Sequence, residues 1–356
     1  MYTSRLTNLR NLLSSKKLNA ILVSNSSNIR YLSGFSGSEA DLIVTADGAY
    51  LLCDARYTIQ AALECPNCKV IDTAEGIYNI VNRIIAESNI SALGIEDRSI
   101  SLAAFNAMSR SISGASLIPV GDLLSLPRIL KDEKEITSLK RAAWIADRAF
   151  DHVLPLIKPG VREIDIAAEL EYSMRKNGAE TIAFETIVAS GANGAKPHGT
   201  ASEKIIEPGD FIVMDYGCVY NGYCSDITRT VAVGPISEEQ KNIYNSVLFV
   251  QKKMLSVIRV GMPCSEADAI ARRHFEIFGF EKKFTHSLGH GVGLDIHEQP
   301  NLSRRSPHTI SDNMVVTVEP GLYFEGKFGI RIEDTIVISG GKPYILTTSP
   351  KELIII

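Results

Sequence analysis

The stretch FIVMDYGCVYNGYCSDITRT, residues 211–230, decides how the second half of this chain is read. Asn221-Gly222 is a strong signal for a two-residue hairpin turn, because both residues tolerate the positive φ that such a turn needs. That turn sets Tyr220 opposite Tyr223, and counting outward sets Gly217 opposite Asp226. Asp215 then lies on the same face as Asp226 and diagonal to it, roughly 7–8 Å away, a gap that two carboxylates bridge through a cation. Gly217 is expected to leave open space beside Asp226. The run Phe211–Met214 is apolar throughout, as in a strand covered on both faces.

The same hairpin is written a second time. VEPG at Val318–Gly321 and IEDT from Ile332 repeat MDYG and SDIT, so Glu319 and Glu333 correspond to Asp215 and Asp226. A three-residue loop, Glu325-Gly326-Lys327, puts the two glutamates on one face, and Pro320 should fall where no ladder hydrogen bond is required. The helices before each hairpin repeat as well. IKPGVREIDIAAELEYSMRKNG from Ile157 and IRVGMPCSEADAIARRHFEIFG from Ile258 both run from Ile to Gly over 22 residues, with Gly at the fourth position. The helices are offset by 101 residues and the acids by 104 and 107. Asp132 with Glu135, and Ser237 with Gln240, form capping boxes for the long helix that opens each half. A duplicated α+β unit packs pseudo-symmetrically, sheets together and helices outside.

Taken singly, each acid reads as a surface or salt-bridged carboxylate. Jointly they recur in apolar strands at matching places, where unpaired charge is costly to bury. Two cations between them resolve that cost. Carboxylates favour hard cations, and one imidazole shifts the preference towards transition metals, so manganese or cobalt suits the set, with zinc and iron left open. His290, inside Gly289–Gly293, is the best-placed imidazole, and His286, His297 and His198 are further candidates. His152, His274 and His308 read as structural or solvated. The Gly289–Gly293 run lacks the Lys-Ser/Thr ending of a phosphate loop and the dinucleotide spacing.

Residues 1–124 alternate helix and strand patterns: a helix near Ser4–Lys17, strands at Ala20–Val23, Asp41–Ala46 and Ala49–Cys53, a helix at Ile77–Ala86, a strand at Ala92–Ile95, a helix at Leu102–Ile112 and a strand at Ser116–Val120. This is a smaller α/β domain whose chemistry is not legible. A linker with Pro127 leads to the second domain, residues 125–356. With 45% hydrophobic and 22% charged residues the composition is that of a soluble globular protein. The net charge of −4 without a basic run argues against nucleic acid. No apolar run approaches membrane-spanning length, and the N-terminus lacks a signal-peptide core, so the expectation is a cytoplasmic protein. Six scattered cysteines form no disulfide framework, and Cys65-Pro-Asn-Cys68 has no second pair or nearby histidines to make a zinc site.

The set Asp215, Asp226, His290, Glu319 and Glu333, carried by MDYG, SDITRT, HSLGHGVGLDIHE, TVEPGLY and GIRIEDT, resembles the pita-bread metallopeptidases. The likeness is to the branch of Xaa-Pro dipeptidases (prolidases) and Xaa-Pro aminopeptidases, and it spans residues 130–350. NIRYLSGF at Asn28–Phe35 is similar, more loosely, to the creatinase-type N-terminal domain. The resemblance implies two divalent metal ions per chain. Asp215 would bind one metal only, Asp226 and Glu333 would bridge both, and His290 and Glu319 would complete the second. His198 matches a family histidine near the scissile bond, His297 one that contacts substrate, and Arg331 an arginine beside the bridging glutamate. The implied reaction is attack by a metal-bridging hydroxide on the carbonyl before proline, with Glu319 moving the proton. The implied substrate is an Xaa-Pro dipeptide or a longer peptide with proline second, and a homodimer is expected. The extra N-terminal domain argues against methionine aminopeptidase, and the complete ligand set against creatinase. The alternative is a non-catalytic binding protein on the same fold.

Overall fold

In the computed structural model, which describes residues 1–356, the chain forms two compact units, Met1–Arg128 and Ile129–Ile356. The stretch after Leu124 stays with the first unit. Arg128 donates to Asn28 Oδ1 at 2.8 Å, and the Tyr31 hydroxyl donates to the Pro127 carbonyl at 3.3 Å.

The first unit is built on one six-stranded sheet, in the order Lys69–Asp72, Ala49–Cys53, Asp41–Thr45, Ala20–Val23, Ala92–Ile95, Ser116–Pro119. Ala20–Val23 pairs antiparallel with Asp41–Thr45 and parallel with Ala92–Ile95. Because side chains alternate along a strand, Ile21 and Val23 enter one core with Leu6, Leu9 and Leu13, while Ala20 and Leu22 enter the other with Ile80, Ile84 and Met108. Helices therefore cover both faces. Three elements escaped the sequence reading: the helices Ser26–Ser33 and Thr58–Glu64 and the strand Lys69–Asp72. Each is short, so periodicity has little to count. Ser26–Ser33 is fixed by its ends instead, with Asn25 capping the Asn28 amide and Gly34 turning at φ +89°.

The second unit repeats itself. Helices Glu133–Val153 and Glu163–Lys176 pack on the strands Ile187–Ser190, Phe211–Tyr216 and Ile227–Ala232. Helices Glu238–Val257 and Cys264–Ile277 pack on a five-stranded sheet that contains Gly289–Gly291, Val315–Val318 and Asp334–Ser339. Both capping boxes are present. The glycines that open and close each repeated segment all lie in the left-handed region, Gly160 at φ +94° and Gly261 at +86°, Gly178 at +104° and Gly279 at +77°. A residue with a Cβ would be strained at these positions, which explains why glycine stands at both ends of both copies.

Tyr220 pairs with Tyr223 across the Asn221-Gly222 turn, and Thr228 pairs with Asp215 further out. Both pairs belong to one register, the one that sets Gly217 opposite Asp226. The ladder itself breaks at that point, between Phe211–Tyr216 and Cys218–Tyr220. The expectation of open space at Gly217 is corrected here. A Cβ would collide with the Ser225 carbonyl, so glycine permits a close backbone approach. The second hairpin breaks in the same way. Val318 pairs with Asp334 and Gly321 with Arg331, which leaves Glu319, Pro320, Ile332 and Glu333 in the gap. Phe324 pairs with Phe328 around the three-residue loop.

Candidate metal centre

The two breaks face one another, where the Glu333 amide donates to the Thr228 carbonyl at 3.1 Å, and four acids meet there. Asp215, Asp226, His290, Glu319 and Glu333 line a single cavity of about 550 Å³, as do His198, His297 and Arg331. Ligand atoms of Asp226, His290 and Glu333 all lie within 4.8 Å of one another. His290 Nε2 is 3.5 Å from Asp226 Oδ2 and 3.4 Å from Glu319 Oε1. Its other nitrogen, Nδ1, lies 3.1 Å from the Gly291 carbonyl, which fixes the ring orientation. The strand Gly289–Gly291 can carry this ring because its glycines touch neighbouring backbone. A Cβ at Gly289 would strike the Thr317 carbonyl, and one at Gly291 the Gln299 carbonyl.

Hydroxyls hold the carboxylates from behind. Thr228 donates to Glu333 Oε2 at 2.7 Å, and Thr317 donates to Glu319 Oε1 at 3.1 Å. Thr317 also accepts from the His290 amide at 3.0 Å. Arg331 was expected beside the bridging glutamate, and its ion-pair partner is Asp215. Its remaining bonds run to the Thr228 hydroxyl at 3.1 Å, the Tyr323 hydroxyl at 2.7 Å and the Pro197 carbonyl at 3.0 Å. Sequence reasoning missed Thr228, Thr317 and Tyr323. All three lie within the quoted motifs, Thr228 two residues beyond Asp226, Thr317 two before Glu319 and Tyr323 four after it.

The acids are poorly balanced by protein charge alone. Burial, then Glu333, Asp215 and Glu319, push the Asp226 carboxyl well above the usual carboxylate range. Burial, then Glu319 and Asp215, do the same to Glu333. Burial raises Glu319 to about 8 against the opposing pull of Arg331. His290 is pushed down by burial, so its neutral, ligating form is favoured. Glu333 Oε1 and Asp215 Oδ1 are buried without a hydrogen-bond partner. Orphaned carboxylate oxygens, mutual repulsion and a neutral imidazole fit divalent cations in this cavity.

The other histidines divide as their surroundings dictate. His198 and His297 are exposed on the cavity wall, and the His297 ring lies 4.4 Å from that of His290. His286 is half-buried against Tyr323, its Nε2 3.0 Å from the hydroxyl, and burial pushes it down to about 3. His152 pairs with Glu169 at 2.7 Å, and His274 packs on Phe249. His152, His274 and His308 do not line the cavity.

Comparison with known proteins agrees with this geometry. Residues 137–340 match Metallopeptidase family M24, and residues 5–129 match the Creatinase/Prolidase N-terminal domain. An uncharacterised peptidase of Bacillus subtilis is 42% identical over 99% of this chain and 100% of its own length. A solved structure described as an Xaa-Pro dipeptidase from Bacillus anthracis superposes with a TM-score of 0.97, at 41% identity, covering 100% of both chains. One described as an X-Pro aminopeptidase from Thermotoga maritima has a TM-score of 0.90 at 39% identity, covering 96% of this chain and 98% of that one. The chain thus carries the pita-bread fold behind a creatinase-like N-terminal domain, and it belongs to metallopeptidase family M24.

Proposed function

We propose that the protein is a dinuclear metal-dependent exopeptidase that hydrolyses the bond between an N-terminal residue and proline. The observation that carries this reading is the convergence of all five expected ligands on one cavity, with Asp226, His290 and Glu333 able to share a cation. Proline specificity is supported by relatives named Xaa-Pro dipeptidase and X-Pro aminopeptidase. Asp215 would hold one cation, Asp226 and Glu333 both, and His290 with Glu319 the second. When bound, the cations lower the pKa of a shared water and polarise the scissile carbonyl.

The chain's own residues supply the rest. Glu319, held by the Thr317 hydroxyl at 3.1 Å on the cavity wall, is placed to take a proton from the water and return it to the departing proline nitrogen. His198 and His297, on the cavity wall, donate to the developing oxyanion and position the peptide. Arg331 fixes Asp215 and leaves its second oxygen free for a cation.

The mixed carboxylate and imidazole donors suit manganese or cobalt, with zinc or iron as alternatives. A homodimer follows the family resemblance. Six free cysteines accord with a reducing, cytoplasmic setting. A non-catalytic binder would have shed ligands, and all five are in place. Elemental analysis with an Xaa-Pro assay before and after chelation tests the reading. About two metals per chain and chelator-sensitive hydrolysis are expected, and full activity in the chelated protein would overturn it.

A further inference from the structure

The segment that carries His198 is a loop with both ends fastened to one buried carboxylate. SGANGAKPHGTAS, Ser190–Ser202, leaves the strand Ile187–Ser190 as a short 3-10 turn, Gly191–Ala195, and brings Pro197, His198 and Thr200 to the cavity wall. Its glycines and alanines give it few side chains with which to order itself, and glycine adds backbone freedom. The order comes from outside. Glu163, the first residue of the helix Glu163–Lys176, is fully buried and does not line the cavity.

One oxygen of Glu163, Oε1, accepts from the Ser190 amide at 2.6 Å and the Ser190 hydroxyl at 2.8 Å. The other, Oε2, accepts from Asn193 Nδ2 at 2.8 Å, the Ser202 amide at 3.1 Å and the Ser202 hydroxyl at 2.6 Å. Bonds to a carboxylate are the strong kind, and the start of a helix favours its negative charge. The same Asn193 Nδ2 donates to the Thr200 carbonyl at 3.3 Å. On the other side of His198, the Pro197 carbonyl accepts from Arg331 at 3.0 Å. The loop also lies backbone to backbone against the strand Phe328–Arg331, where a Cβ at Gly329 would collide with the Gly194 carbonyl. His198 is therefore bracketed, with Pro197 held by the arginine of the acid cluster and Thr200 held by Asn193 on Glu163.

Resting on the Xaa-Pro reading, we infer that Glu163 is a positioning residue of the reaction: it clamps both ends of the Ser190–Ser202 loop and so keeps His198 in its place on the cavity wall. Glu163 itself touches neither substrate nor cation. Its effect runs through His198, so it falls on kcat more than on KM or on metal content. The base of the loop has a second closure made by backbone alone. The Glu163 amide donates to the Lys204 carbonyl at 3.0 Å, and the Ile164 amide to the Ser202 carbonyl at 3.1 Å. Removing the carboxylate therefore loosens the loop without releasing it, which separates positioning from folding.

The test is a double-mutant cycle in full-length protein reconstituted with manganese. The substrate is whichever of Ala-Pro and Ala-Pro-Ala the parent turns over faster, and each variant is also measured for bound metal and denaturation midpoint. Glu163→Gln keeps the shape of the side chain but turns an amide NH2 towards the donors at one end of the loop. It should lower kcat roughly 10- to 100-fold, change KM by less than about twofold and keep the parent's metal content. His198→Ala should lower kcat by about 100-fold or more, and adding Glu163→Gln to it should change kcat by less than about twofold. Asn193→Ala, which cuts only the link from Glu163 to Thr200, should show the same pattern at smaller size, and it carries the test if Glu163→Gln does not fold. Parental kcat in these variants, metal lost in step with kcat, or a loss that multiplies in full with that of His198→Ala overturns the inference and leaves the Xaa-Pro reading standing. A parent that turns over neither substrate overturns both.

Discussion

The two hairpins carry equivalent acids, but the protein surrounds them differently. In the first, Asp215 already has a cation, the Arg331 guanidinium, and that arginine comes from the second hairpin. In the second, Glu319 and Glu333 fall opposite each other in register and have hydroxyls behind them rather than charge. His290 lies against Asp226 and Glu319, which gives the centre one nitrogen-bearing side and one oxygen-only side. The two halves thus share a frame and differ in the donors they bring to the cavity.

The halves are also locked together at this seam. Arg229, on a strand of the first hairpin, forms a fully buried ion pair with Asp334 at 2.8 Å. Arg229 also donates to the Ser349 carbonyl at 2.8 Å and to the Glu333 carbonyl. Gln251 at 2.6 Å, Thr347 at 2.9 Å and Lys351 complete the shell of Asp334. The residue next to a proposed ligand thus ties down both hairpins, so the position of Glu333 depends on contacts between halves.

The largest effect should come from removing an acid that both cation sites share. Asp226→Ala or Glu333→Ala should reduce Xaa-Pro hydrolysis to background and lower the bound metal below two per chain, as read by assay and elemental analysis. Asp215→Ala should instead deplete one metal and leave Arg331 buried without its partner.

Breaking the seam comes next. Asp334→Ala leaves Arg229 buried and uncompensated, and a loss of about 3–5 kcal/mol in chemical denaturation is expected. An unchanged denaturation midpoint would show that the halves are held together elsewhere.

The threonines sharpen the contrast between hairpins. Thr228→Val removes a donor to Glu333 and a partner of Arg331, so it disturbs both halves. Thr317→Val affects only Glu319 and His290. Thr228→Val should weaken metal affinity by roughly 10- to 100-fold, with a smaller effect from Thr317→Val, both measured by competition with a chelator.

The smallest effect is a pH dependence of the metal-free protein. Asp226, Glu319 and Glu333 have folded pKa values above their unfolded ones, so the folded state binds more protons than the unfolded state. Stability from these groups is present below the unfolded carboxylate range and is lost as pH rises through the folded values, about 8 for Glu319. His286, His290 and His297 are shifted downward and act in the opposite sense, but only below their ordinary value near 6.5. The Tm of the chelated protein should therefore fall between pH 6.5 and 8.5, and divalent cation should restore more of it at the upper end. A chelated Tm that rises across this window would contradict the charge balance drawn for the cluster.

Much of this was legible because it is local. Asn221-Gly222 accepts positive φ, so the first hairpin has one register, and that register puts Asp215 and Asp226 on one face. Gly160 and Gly261 mark the same turn in both halves for the same reason. The capping boxes at Asp132 and Ser237 depend on residues three positions apart. The short helix at Thr58–Glu64 and the strand at Lys69–Asp72 were not legible, since neither is long enough to show a period. The open space read beside Gly217 was a close backbone contact, which local counting cannot distinguish.

What the sequence by itself determined was the set of acids, their registers and the repeat, all set by backbone preferences within a few residues. Tertiary structure alone decided their partners: Arg331 on Asp215, Thr228 on Glu333, Arg229 on Asp334. Each of those bonds joins residues about a hundred positions apart. Such pairings are selected by the packing of one half against the other, where a buried charge is stable only beside its counter-charge or donor.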